Sequence, residues 1–271
     1  MKQIFLAGVL AAFISVPGLL AQARHLPKDE VDAYNAMIQA QTADARIAAA
    51  ENFVTKFPDS PLKPTALYFE AVSYEQKGDY PNTVVFGERT LEADPNHYEA
   101  MLLLAGTIAQ HTREYDLDRA EKLAKVAKYA NGALELLKTA PKPNPNLTDD
   151  RWEAAKKDMA SEAHAALGMA ALATKKYDVA ETEFKAAIDG AADPDPATMV
   201  RLGRTYEDDG KYDDAVAQFN KVMALPNVDT RIKQIAQAER VRALQAKGAL
   251  KPAAPAAPAK PEPPKPEPPK Q

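Results

Sequence analysis

Four histidines, three serines beyond residue 23 and two adjacent acidic pairs are the side chains of this sequence best suited to chemistry. His25, His97, His111 and His164 lie far apart, and the chain has no cysteine to join them. A transition-metal site gathers three or four such donors, commonly through short spacings such as H-E-x-x-H, and no such spacing occurs. Ser60, Ser73 and Ser161 stand outside any G-x-S-x-G turn that would expose a nucleophile. No glycine-rich loop is present to cradle phosphates. Asp208-Asp209 and Asp213-Asp214 could offer paired carboxylates for acid–base work, but they flank a Gly-Lys turn where solvation and helix capping account for them. The expectation is a protein that is not an enzyme and holds no metal and no cofactor.

With no catalytic grouping to place, the elements themselves carry the information. The first 23 residues read as a secretory leader. Lys2 supplies a positive charge, 4–20 is an apolar run, and Ala21-Gln22-Ala23 gives a small-x-small cleavage signature. That run of 17 residues is at the lower edge of bilayer-spanning length, and Pro17-Gly18 within it favours cleavage over retention as an anchor. Cleavage after Ala23 would send a chain beginning at Arg24 to the periplasm or the medium. Its formal charge would be −5, against −4 for the whole sequence. Without a basic excess, binding to a phosphate backbone has no electrostatic support, so no nucleic-acid partner is expected. With no cysteine, an exported chain depends on its apolar core and cannot be acylated on a cysteine after cleavage.

From 28 to 248 the apolar residues recur at three and four, broken by short Gly, Asp or Pro punctuation, which predicts helices throughout. The pattern also repeats. Leu167-Gly168, Tyr177, Ala180 and Phe184 are answered by Leu202-Gly203, Tyr212, Ala215 and Phe219, each 35 residues on. Upstream, Tyr74 stands where Tyr206 does, and Gly78-Asp79-Tyr80 matches Gly210-Lys211-Tyr212. Small residues at 168, 180, 203 and 215 let two helices approach, and the leucines and phenylalanines fill the space between them. Gly78 and Gly210 fall where a tight turn needs a positive φ. No unit of this size covers its own apolar face, so successive units must stack into a continuous core.

These residues resemble the tetratricopeptide repeat, a helix–turn–helix unit of about 34 residues. The resemblance places units at 30–63, 64–97, 98–133, 161–195 and 196–229. It departs from the family pattern at Met199 and His164, which take the tryptophan position, and at Thr83 and Gly87, which stand for Ala and Phe. His164 is expected to pack in the core. The implied fold is all-α: a right-handed α-solenoid of about five repeats with a C-terminal capping helix at 230–249. In that family the first helices line a concave groove that holds peptides or partner helices. Carried over, the groove would comprise Tyr34, Ile38, Tyr68, Val72, Leu102, Gln110, Met169, Leu172, Val200 and Arg204. The Lys, Asn and Arg clamp that grips a terminal carboxylate in some relatives is not reproduced, so an apolar strip or helix is the expected ligand.

Two segments interrupt the array. The second helix of the third unit is expected to run to Lys138, giving one block at 24–138. The proline-bearing stretch 139–150 follows, and a second block occupies 151–229, with Asp150 and Glu153 suited to a reciprocal helix cap. That stretch is either a hinge or an insertion within one solenoid, the latter being favoured. The tail 250–271 carries nine prolines, resembles the proline-rich spacers of bacterial envelope proteins, and would reach about 60 Å as polyproline II. It reads either as a spacer or as a docking ligand, with contact to peptidoglycan or envelope protein through it a further expectation. The functional expectation is a non-catalytic scaffold binding protein partners in the cell envelope. The alternative is an accessory or regulatory subunit of an envelope enzyme, secretion or transport complex.

Overall fold

The computed structural model describes residues 26–249; the leader and the proline-rich tail lie outside the described residues. Within them the chain forms eleven helices and no strand. In order these are α1 (Lys28–Gln39), α2 (Ala43–Lys56), α3 (Lys63–Gln76), α4 (Tyr80–Ala93), α5 (Tyr98–His111) and α6 (Arg119–Thr139). Then come α7 (Asp149–Ala173), α8 (Tyr177–Gly190), α9 (Pro196–Asp208), α10 (Tyr212–Ala224) and α11 (Thr230–Ala249). Each helix packs on the next, and α5 on α7, α7 on α9 and α9 on α11 also touch. That is the packing of an α-solenoid, in which first helices form one layer and second helices the other.

Three of the pairs close through three-residue turns of one design. α3–α4, α7–α8 and α9–α10 are joined at 77–79, 174–176 and 209–211. The middle residue of each turn has positive φ: 72° at Gly78, 58° at Lys175 and 77° at Gly210. The amide of the next residue returns to a carbonyl five positions back, Asp79 to Tyr74, Lys176 to Ala171 and Lys211 to Tyr206, at 2.8–3.0 Å. This closure satisfies carbonyls that a helix end leaves without partners, and it needs one left-handed residue. The expected glycines at 78 and 210 therefore do what the turn requires. Lys175 does the same with a β-carbon attached.

The close approaches fall at the small residues. A β-carbon on Gly168 would lie 2.6 Å from the ring of Phe184, and Gly203 makes the same approach to Phe219. Phe184, Phe219, Ala180 and Ala215 are fully buried. In the second repeat the pattern is inverted. Gly87 occupies the phenylalanine position, and Leu104 of α5 comes within 2.7 Å of where its β-carbon would be. Thr83, in place of Ala, is buried with its hydroxyl donating to the Asp79 carbonyl at 2.8 Å.

The interruption is bridged by helices. α6 runs to Thr139, one residue past its expected end, and packs on α7. The cap of α7 differs from expectation: Thr148, not Asp150, accepts the Arg151 amide through its hydroxyl, and Glu153 pairs with Lys156 instead of reaching back. A threonine at N-cap leaves Asp149 and Asp150 in the first turn, where their charge suits the helix dipole. α7 is 25 residues long because its first turns precede the repeat proper. The Trp152 indole donates to the Ala140 carbonyl at 3.2 Å, and Lys142 pairs with Asp149 at 2.7 Å, fastening the loop to the start of α7.

Candidate functional site

The first helices α3, α5, α7 and α9 carry most of the residues expected to form a groove, and the structure separates them by accessibility. Val72, Leu102 and Val200 are buried. They join packed clusters with their neighbours and offer little surface in the free chain. Tyr34 and Ile38 pack into the N-terminal cluster around Phe53, with the Tyr34 ring 6.0 Å from that of Phe53. The Tyr34 hydroxyl is buried without a hydrogen-bond partner, and burial pushes it up to about 12. Half-buried Tyr68, Met169 and Leu172 and exposed Gln110 and Arg204 remain accessible. Arg204 is held by Glu239 of α11 at 3.0 Å.

Around Tyr68 the residues of three helices converge. Its ring lies 4.9 Å from that of His97, which caps α5. Burial raises its hydroxyl well above the ordinary tyrosine range, and Glu99 of α5, Glu162 of α7 and Glu75 of α3 lie near enough to raise it further. Glu162 is open to solvent at its edge, but protein on its other sides thins the water around it. That desolvation, with the charges of Glu75 and Asp158 adding, pushes its carboxyl up to about 7. Glu75 is raised by burial too, opposed by a 3.3 Å hydrogen bond from Thr107 and by His111. Nothing in the sequence marks this cluster, since its members come from 75, 99, 158 and 162 and meet only through stacking.

The described histidines have separate partners. His111 stacks on Tyr80 at 4.4 Å and its Nδ1 meets the Thr107 carbonyl at 2.8 Å. His164 is half-buried rather than wholly packed, because Glu183 on α8 holds its Nδ1 at 2.7 Å near the surface. Ser161, one turn before His164, gives its hydroxyl to the Lys157 carbonyl instead. Among the described residues no three His, Asp or Glu side chains gather as metal ligands. Among them, too, no helix is long and apolar enough to cross a membrane. Asp208 and Asp209 sit at the α9–α10 turn, where Asp209 pairs with Lys211 at 2.8 Å; Asp213 and Asp214 lie in the first turn of α10.

Stacked helix–turn–helix pairs with a layer of first helices define an all-helical repeat solenoid, a class whose members act chiefly by binding other proteins. Residues 165–230, the fourth and fifth repeats, match the tetratricopeptide repeat family. Among solved structures the chain is similar to a thermophilic tetratricopeptide-repeat protein of Thermus thermophilus, at 19% identity and a TM-score of 0.49 over 81% of this chain and 96% of that one. No curated protein matches the sequence.

Proposed function

We propose that this chain is a non-catalytic protein-binding scaffold of the cell envelope, and that its concave face takes an amphipathic partner segment carrying basic residues. The observation behind this reading is the junction of α3, α5 and α7, where half-buried Tyr68 lies against the His97 ring and near Glu75, Glu99 and Glu162. The Glu162 carboxyl, raised by desolvation and by the charges of Glu75 and Asp158, gains from an arriving cation that offsets those charges in a setting drier than bulk water. An apolar strip flanked by lysine or arginine meets both parts of that surface. The envelope setting rests on the leader-like first 23 residues.

The test is affinity capture from envelope extract with the wild-type chain and a Glu99→Lys/Glu162→Lys variant. Glu162 is exposed and Glu99 partly so, so the helices should be retained, and circular dichroism of the variant is the control. A partner retained by the wild type and lost by the variant supports the reading. The same proteins retained by both would reject it.

A further inference from the structure

The 35-residue register does not stop at α10. Adding it to Met199, Leu202, Gly203 and Tyr206 of α9 gives Gln234, Gln237, Ala238 and Val241 of α11. α11 is thus the first helix of a sixth repeat. On α9 that face is covered by the second helix of its own repeat: Phe219 of α10 fills the space at Gly203, and Met199, Leu202 and Tyr206 are buried. On α11 the matching residues are all exposed. They line a shallow depression with Met223, Thr230 and Lys233. Val241 and Leu244, with 40% and 45% of their surface exposed, continue the face through Gln245 to Gly248, where a β-carbon would meet nothing. The opposite face, Ala236, Glu239 and Ala243, is buried against α9 and α10.

We propose that residues 250–259 of this chain, the sequence LKPAAPAAPA, cover that face in place of a sixth second helix. Position carries the argument first. α11 runs to Ala249, past Ala243, the counterpart of the α9 end at Asp208, so the segment leaves at the far end of the exposed face and is the next stretch of chain able to fold back along it. Its reach fits: from Ala249 back to Gln234 is about 22 Å along the helix axis, and ten residues of extended polyproline span about 31 Å. Its chemistry also fits. Prolines at 252, 255 and 258 exclude a helix, while five alanines and the proline rings present an apolar strip matched to Ala238, Val241 and Leu244. Residues 252–259 carry no charge, and the Lys and Glu residues begin again at 260, beyond the face. Gln234 and Gln237 place amide donors where the strip's carbonyls would pass, which suits a backbone with no internal hydrogen bonds.

Hydrogen exchange on the full chain, on a chain ending at Ala249, and on a full-length Val241→Asp variant tests this. Val241 is exposed, so that substitution leaves the helix intact. Amides of 234–245 are expected to exchange about tenfold faster in the shortened chain and in Val241→Asp, with α9 unchanged in all three. Equal exchange of α11 in full and shortened chains would overturn the proposal. Protection that persists in the shortened chain and rises with protein concentration would overturn it in favour of a second copy.

Discussion

Gly203 of α9 lets the ring of Phe219 of α10 lie where a β-carbon would otherwise stand, and Gly168 does the same for Phe184 one repeat earlier. A methyl at either site must displace a fully buried ring whose neighbours are also buried. Gly203→Ala and Gly168→Ala are therefore expected to destabilise by about 1–2 kcal/mol, overpacking outweighing the gain of up to about 1 kcal/mol in helix propensity. Gly87→Ala should cost somewhat less, because its approach to Leu104 at 2.7 Å is less close than that of Gly203 to Phe219 and an isobutyl group adjusts more readily than a ring. Urea midpoints for the three variants check the order.

The turn at Lys175 yields the opposite sign. Its φ of 58° is the conformation that Gly78 and Gly210 adopt in the matching turns. A β-carbon there costs about 1–2 kcal/mol, partly offset by the greater freedom of glycine in the unfolded chain. Lys175→Gly is expected to stabilise by about 0.5–1 kcal/mol, and Gly210→Ala to destabilise by a similar amount although its β-carbon would meet nothing. Thermal melts that moved the other way would show the turn to be unstrained.

Tyr34 carries a buried hydroxyl with no partner. Removing it takes away a desolvation cost without opening a cavity, so Tyr34→Phe should be neutral or stabilising by up to about 1 kcal/mol. A loss of more than that in equilibrium unfolding would mean that the hydroxyl is bonded.

Glu70 of α3 gives a pH dependence with a defined sign. The residue is 1% exposed and its Oε2 has no partner. Burial pushes the carboxyl from 4.5 to about 7, with Glu51 adding and Arg89 opposing. The folded state then holds its proton more tightly than the unfolded state, so this group's favourable contribution is full below about pH 4.5 and is lost as pH rises through about 7. Glu70→Gln should change stability little at pH 5 and raise it at pH 8, by an amount of order 2–3 kcal/mol. An equal effect at both values would contradict the assignment.

Which features can be read from sequence follows from how local their cause is. The glycine–phenylalanine pairs and the turn glycines recur in register, so 168/184, 203/219, 78 and 210 are legible without a structure. Leu104 filling the gap at Gly87 is not, because the compensating residue lies in the next repeat. Groove membership is legible only as far as helix face. Val72, Leu102 and Val200 face the right way but are covered by neighbouring helices, and helix spacing is not written in any one segment. The acidic cluster at Glu75, Asp158 and Glu162 joins two helices distant in sequence, and the raised carboxyls of Glu75 and Glu162 come from burial that only stacking creates. The sixth register in α11 is obscured because Gln234 and Gln237 replace the apolar Met199 and Leu202.

The central claim, that the junction of α3, α5 and α7 receives a basic amphipathic segment, is tested most directly by calorimetric titration with two helical peptides. The two share one apolar face; one carries lysines along its flanks and the other glutamates. The lysine peptide is expected to bind, to weaken with salt, and to lose at least about tenfold in affinity to Glu99→Lys/Glu162→Lys, while the glutamate peptide does not bind. Equal binding of both peptides, or binding of the lysine peptide that the charge-reversed chain retains, would contradict the account.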